Sequence, residues 1–201
     1  MKIKIEITDS PEKTPNIIFI MDKSGSMQSI KNDTIGGFNS FVDKQKAQGG
    51  AAHLNVILFD TVTSTYYKGA VSEVPSMNGT TYSPDGMTAL YDAIGKTLTE
   101  YSHYQKALVV ILTDGEENSS RSYTKSQILE MIKSREATGW EFLYLGANQD
   151  AFAEGSKIGI HTTLNFLATD AGIRNAFSNV TTYATAYRGT GTITGVTVDD
   201  D

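Results

Sequence analysis

The sequence contains no cysteine, and that absence excludes several kinds of site at once. Disulfide frameworks, thiolate metal centres and a cysteine nucleophile are ruled out, which leaves histidine and oxygen-bearing side chains as ligands. Histidine is scarce too, with three in 201 residues. His53, His103 and His161 are scattered, and none lies near Ser24 or Ser26 along the chain. This distribution argues against hydrolytic Ser–His chemistry.

An excess of positive charge is also missing. The chain has 17 Lys and Arg against 23 Asp and Glu, a formal net charge of -6, whereas a nucleic-acid-binding protein usually carries a basic stripe. No uninterrupted apolar run approaches the roughly 18 residues of a membrane span. Residues 1–7 alternate Lys and Glu with Ile, unlike the apolar core of a secretory signal. We therefore expect a soluble, cytoplasmic protein that binds no nucleic acid and does not insert into membranes.

Short apolar segments predict the strands of the fold. Residues 16–21 and 107–113 are apolar without alternation, which is typical of parallel strands covered on both faces. Residues 53–59 and 62–68 are separated by Asp60 and Thr61, the spacing of a tight antiparallel hairpin. Further strands are expected at 140–146 and 162–168, and residues 1–7 alternate with a period of two like an added edge strand.

Between these strands, apolar residues recur three and four positions apart and predict helices. Thr124 and Gln127 have the spacing of a capping box. Asn148 and Asp170 are the expected N-caps of two later helices. The predicted helices cover residues 29–48, 90–101, 124–139, 149–158 and 171–187.

The alternation of strands and helices predicts an α/β fold. We expect a doubly wound, mostly parallel central sheet with one antiparallel edge strand and helices on both faces. The domain would cover residues 15–187, after an N-terminal extension at 1–14 and before a tail rich in Gly and Thr at 188–201. Disorder is the favoured expectation for residues 189–201, with addition to a neighbour's sheet edge as the alternative.

Three turns at strand ends carry oxygen donors. In a doubly wound sheet, ligands bind outside the carboxyl ends of the strands, so residues just after each strand are the ones to inspect. Asp22, Ser24 and Ser26 follow the first core strand, Thr88 precedes a helix, and Asp114 follows the most apolar strand. Two carboxylates and three hydroxyls form an all-oxygen set suited to Mg²⁺. Because hydroxyls are neutral, such a site neutralises its ion incompletely and leaves room for an incoming carboxylate.

At these residues the sequence resembles the von Willebrand factor type A domain family, whose fold is also called integrin I-domain-like. The family's metal-ion-dependent adhesion site (MIDAS) has Asp-x-Ser-x-Ser on its first loop, Thr on its second and Asp on its third. The five positions that match are Asp22, Ser24, Ser26, Thr88 and Asp114. The match in order and loop spacing covers about residues 15–187.

The resemblance implies a non-enzymatic protein-binding module. Its five matched residues would hold Mg²⁺, with Mn²⁺ and Ca²⁺ as alternatives, and an Asp or Glu of a protein partner would complete the shell. One departure is Met87, which stands where many relatives have Gly. No further metal site is carried over from the family.

Other interpretations stay open at the level of sequence. Each turn taken alone is equally typical of a helix cap or turn. Asp60, Glu116 and Glu117 are expected to be solvated loop charges, with a position at the rim of the site as the alternative. A structural assembly subunit, for example of a virion or another multi-copy particle, would self-associate through its terminal segments with the metal site structural or vestigial. A metal-assisted hydrolase is a weaker alternative, since an ion with open positions can activate water.

Overall fold

A computed structural model describes residues 14–147 and 151–198 of the chain. Six strands and five α-helices alternate along it. The strands are β1 (Asn16–Asp22), β2 (His53–Phe59), β3 (Thr63–Ala70), β4 (Leu108–Thr113), β5 (Glu141–Ala147) and β6 (Thr163–Phe166). The helices are α1 (Lys31–Ala47), α2 (Leu90–Glu100), α3 (Lys125–Glu136), α4 (Ala151–Lys157) and α5 (Asp170–Thr190), with short 3₁₀ turns at Gly25–Ile30 and Val71–Glu73.

The strands form one sheet in the order β3-β2-β1-β4-β5-β6. All neighbours are parallel except β3, which is antiparallel to β2. The register places Asp22 of β1 beside Phe59 of β2, and Met21 of β1 beside Leu112 of β4. The predicted doubly wound sheet with one antiparallel edge strand is confirmed.

Both faces of the sheet are covered, which is why its central strands are apolar without alternation. On one face Phe19 of β1 meets Phe38 of α1 and Phe177 of α5, with ring centroids 6.0 and 5.9 Å apart. On the other face Ile20 belongs to a second core with Ile94 of α2, and with residues of α3. The side chains of adjacent β1 residues are therefore buried on opposite faces of the sheet.

The helix caps match the sequence predictions in one case and differ in another. The capping box of α3 is present, with Thr124 accepting from the backbone of Gln127. The N-cap of α5 is Thr169, whose hydroxyl accepts from the Gly172 backbone at 3.2 Å. The predicted cap, Asp170, is wrong because Thr169 holds the extended backbone of a cap and Asp170 is already the first helical residue. The predicted Asn148 cap lies outside the described residues.

The C-terminal segment differs from its predicted disorder. Helix α5 continues to Thr190 and ends at Gly191, which has the left-handed backbone of a helix stop with φ 79°. Beyond it, Ile193 is 4% exposed, and Val196 and Val198 pack against the core that α1 and α5 share. Disorder is therefore wrong for residues 189–198, because their apolar side chains find a surface of their own chain. The predicted strand at 1–7 lies outside the described residues.

Within residues 14–147 and 151–198, every helix is too short or too polar to cross a bilayer.

Candidate metal centre

Asp22 is the last residue of β1 and is fully buried. Its Oδ1 accepts a hydrogen bond from the Ser24 backbone N–H at 2.7 Å, and its Oδ2 accepts from the Thr113 hydroxyl at 2.6 Å. Thr113 ends β4, the neighbouring strand, so the sheet itself joins the two loops. This pairing fixes the carboxylate at the carboxyl edge of the sheet.

The two serines connect the first loop to the third. The hydroxyl oxygens of Ser24 and Ser26 lie 3.1 Å apart, within hydrogen-bond distance. The Ser26 hydroxyl donates to Oδ1 of Asp114 at 2.6 Å, across 88 positions of the chain. Four of the five predicted residues are therefore linked in one hydrogen-bonded cluster: Asp22, Ser24, Ser26 and Asp114.

Thr88 lies beside this cluster across Gly115. A Cβ atom at Gly115 would lie 3.0 Å from Oγ1 of Thr88 and 3.5 Å from Oγ of Ser26, so glycine permits a close approach there. Asn118 fixes the Thr88 backbone, since its Oδ1 accepts from the Thr88 N–H at 2.9 Å and its own N–H donates to the Thr88 carbonyl at 3.0 Å. The structure thus brings all five predicted residues to one end of the sheet.

The donor set fits a small, hard divalent cation. It offers two carboxylates and three hydroxyls and includes no histidine. In the part of the chain that the structure describes, no Lys or Arg forms an ion pair with Asp22 or Asp114. Lys23, between the motif residues, pairs instead with Asp60. Within the same ranges no three His, Cys, Asp or Glu side chains converge, so a bound ion would depend on the hydroxyls.

Burial makes the negative charge at this site costly. It raises the pKa of Asp22 to about 6, more than the hydrogen bonds from Thr113 and Ser24 lower it, and the nearby Asp114 adds to the increase. Burial also raises the pKa of Asp114, against the hydrogen bond from Ser26. A divalent cation would supply the opposite charge that these carboxylates lack within the described residues.

The second loop is held against the first by three contacts. The Tyr82 hydroxyl, which is fully buried, donates to the Asp22 carbonyl at 2.6 Å. The backbone N–H of Gly25 donates to the Gly86 carbonyl at 3.1 Å, and that of Asp85 to the Lys23 carbonyl at 2.8 Å. These contacts place Thr88 next to the serine loop.

The third loop is held by two carboxylates that the sequence did not single out for this role. Asp92 of α2 is 6% exposed, and although burial raises its pKa, three backbone N–H donors outweigh that effect and lower it. The Glu117 carboxylate accepts hydrogen bonds from one backbone N–H at the start of α2 and from two in its own loop. The backbone donors are Arg121, Ser122 and Tyr123 to Asp92, and Tyr91, Ser119 and Ser120 to Glu117.

Two of the predicted loop charges are therefore not solvated. Asp60 is paired with Lys23, and Glu117 is saturated by backbone N–H groups, so that prediction is wrong for both. Glu116 is exposed, as expected. The sequence did not predict Thr113 or Tyr82 as contacts of Asp22. Thr113 is the last residue of its strand, whereas the sequence rule selects residues after a strand, and Tyr82 lies in a loop without periodicity.

Comparison with known proteins gives structural matches only. No protein-family model matches the sequence, and no curated protein matches it. A von Willebrand factor type A structure from Catenulispora acidiphila superposes with a TM-score of 0.62 at 13% identity, covering 86% of this chain and 43% of that one.

Two further solved structures share the fold. The proximal thread matrix protein 1 of the mussel byssus, with a zinc-occupied MIDAS motif, gives a TM-score of 0.60 at 15% identity, over 86% of this chain and 48% of that one. The pilus adhesin SpaC from Lactobacillus rhamnosus GG gives 0.64 at 13% identity, over 84% and 30%. The chain thus spans less than half the length of these three proteins. Its fold is that of the von Willebrand factor type A domains.

Proposed function

We propose that this chain is a metal-ion-dependent protein-binding module. Asp22, Ser24, Ser26, Thr88 and Asp114 would hold Mg²⁺, and an Asp or Glu side chain of a partner would complete the shell. The observation that carries the proposal is the convergence of two partly or fully buried carboxylates and three hydroxyls from three loops, with no cationic side chain paired to either carboxylate in the described ranges.

The residues of the proposed site would have different roles. When bound, the ion would supply a Lewis-acidic position that attracts a carboxylate. Asp22 is anchored by Thr113 and by the Ser24 backbone, so its charge is fixed in place. The hydroxyl groups of Ser24, Ser26 and Thr88 would be neutral metal ligands. Because they carry no negative charge, part of the positive charge of the ion would remain to attract the carboxylate of the partner.

The structural neighbours support an interaction role through their own descriptions. One is described with a MIDAS motif occupied by zinc, and another is a pilus adhesin. At 13 to 15% identity these likenesses concern the fold. The proposal therefore depends on the donor geometry of this chain.

Metal titration of the purified chain tests the proposal. We expect isothermal titration with Mg²⁺ and Mn²⁺ to show one site in the parent, and Asp22→Asn and Asp114→Ala to weaken it at least about 100-fold, because each removes a charged ligand. Glu116→Gln is the matched control, since Glu116 is an exposed carboxylate in the same loop as Asp114 and is outside the donor set. No metal-dependent heat in the parent would reject the proposal.

The assembly alternative gains no support from the described C-terminal residues. Ile193, Val196 and Val198 already pack against the core of their own chain. The hydroxyl of Thr192 donates to Glu141 at 2.6 Å. Residues 192–198 are therefore engaged within the chain, and pairing with a neighbour would require their release.

A further inference from the structure

Exposed apolar side chains are unevenly distributed over the molecule. Among the described residues, four large hydrophobic side chains are more than half exposed: Val62 (62%), Met87 (52%), Phe152 (60%) and Leu167 (67%). Each follows the carboxyl end of a parallel strand or lies in a loop at that edge of the sheet. We call these four side chains the apolar rim, because the candidate metal centre lies at the same edge.

Val62 and Met87 lie on one flank of the centre. Val62 is in the turn between β2 and β3, and Met87 directly precedes Thr88. The two loops touch, since the Met87 backbone N–H donates to the Thr61 hydroxyl at 3.1 Å. Met87 is thus one residue from a proposed ligand and beside the turn that carries Val62.

Phe152 and Leu167 lie on the opposite flank. Phe152 is in the first turn of α4, which follows β5, and Leu167 directly follows β6. The two segments are joined by a hydrogen bond from the Ala151 backbone N–H to Oδ1 of Asn165 at 2.7 Å. The apolar rim therefore continues beyond the third loop, on the side of β6.

Single exposed hydrophobic residues are common on protein surfaces and need no explanation. Four confined to one edge, around the candidate metal centre, form the pattern of an interface, in which Met and aromatic side chains are enriched. Two ion pairs lie beside these side chains: Lys23 pairs with Asp60 near Val62, and Lys157 pairs with Glu154 at 2.5 Å near Phe152. At these two positions, apolar groups of a partner would meet charges that are already paired.

The dimensions suit a short segment of protein. From β2 to β6 the sheet order contains four strand intervals, which span about 19 Å at roughly 4.8 Å each. The centre lies between, at β1 and β4. Because an extended chain rises about 3.3 Å per residue, apolar side chains two to four residues from a central carboxylate would reach either flank.

We propose that the partner presents its acidic residue in a segment with large apolar residues within about four positions on either side, and that the apolar rim binds them. This inference rests on the proposed function, because it names the partner that the metal centre would select. The metal and the carboxylate would provide the anchor. The rim would provide discrimination among the many acidic residues that any protein surface carries.

Selection from a displayed library of nine-residue peptides with a fixed central Asp tests the inference, in the presence of Mn²⁺ or of EDTA. We expect peptides retained only with Mn²⁺ to be enriched in Leu, Phe, Met or Ile within four positions of the Asp. Two double variants, Val62→Ser with Met87→Ser and Phe152→Ser with Leu167→Ser, should each bind the selected peptides about tenfold more weakly, as expected when interface anchors are truncated. Their Mn²⁺ affinity should equal that of the parent.

The control is the double variant Glu130→Ser with Lys133→Ser, which changes two exposed residues of α3 and preserves net charge. It should bind the peptides like the parent. Peptides that are retained only with Mn²⁺ but show no apolar preference, and bind the rim variants equally well, would overturn the inference and leave the proposed function standing. If no peptide is retained in a Mn²⁺-dependent way, both are overturned.

Discussion

The two ends of the sheet differ in how their charged side chains are paired. At the amino ends of the strands a cavity of about 710 Å³ is lined by residues that include His53, His103, Lys106 and Arg188, and none of the described residues that line it carries a carboxylate. Arg188 donates to the carbonyl oxygens of Gln45 and of the two glycines that follow α1. Its charge is thus used to close the end of a helix.

The carboxyl ends keep a charge that nothing described in the chain neutralises. Asp22 accepts hydrogen bonds from Ser24 and Thr113, yet burial still raises its pKa to about 6. Such groups are typical of functional sites, where a local cost in stability is tolerated. The comparison teaches that Arg188 finds its acceptors within its own chain, whereas the buried carboxylate of Asp22 has no paired cation among the described residues.

The largest effect should come from removing the support of the third loop. Asp92→Ala leaves three partly buried backbone N–H groups without their acceptor, and we expect it to lower the free energy of unfolding by about 3 kcal/mol. Urea denaturation measures the change, with Glu100→Ala, an exposed residue of the same helix, as the control. A loss below about 1 kcal/mol would show that the loop is held by other contacts.

Asp22→Asn should raise the free energy of unfolding, by an amount that depends on pH. Because the pKa of Asp22 is raised from 3.8 to about 6, the folded protein binds more protons than the unfolded one between these values. Stability from this group is therefore present at low pH and is lost as pH rises through about 6. In EDTA at pH 8 we expect the Asn variant to be about 2 kcal/mol more stable than the parent, and nearly equal at pH 4.

Thermal or urea denaturation at the two pH values measures this difference. Asn can still accept from the Ser24 backbone, and the Thr113 hydroxyl, which also lies 3.1 Å from the Gly115 carbonyl, can turn toward that oxygen. A variant less stable than the parent at pH 8 would contradict the claim that the charge at Asp22 is uncompensated in the metal-free protein.

The smallest effect concerns the C-terminal segment at the amino edge. Ile193→Val removes one buried methylene and should lower the free energy of unfolding by about 1 kcal/mol, without changing the mass in solution. Equilibrium denaturation and light scattering measure the two quantities. An unchanged free energy of unfolding together with a lower mass in solution would show that Ile193 forms contacts between copies of the chain. That result would support the assembly alternative.

Much of the fold could be predicted from sequence because its central strands are buried on both sides. The apolar runs that became β1 and β4 carry no alternation, which is typical of strands in a parallel sheet covered on both faces. The rule that ligands gather at the carboxyl ends of strands also selected Asp22 and Asp114, which the structure joins through Ser24 and Ser26.

The remaining features depend on contacts that no local pattern encodes. In the sequence, Asp92 and Glu117 look like ordinary acidic residues of a helix and a loop. Only the fold shows that each carboxylate accepts hydrogen bonds from several backbone N–H groups. Thr169 and Asp170 are both good N-cap residues, and the backbone geometry decides between them. Gly-rich composition suggested disorder after α5, but Ile193 reaches the core.

The position of a bound ion tests the central claim most directly. Crystals of the full chain grown with Mn²⁺ should show one anomalous density peak about 2.2 Å from the nearest donor oxygens, in contact with the hydroxyl oxygens of Ser24 and Ser26 and near Thr88, Asp22 and Asp114. A peak elsewhere, or none at millimolar Mn²⁺, would contradict the account of this edge as a metal-dependent binding site.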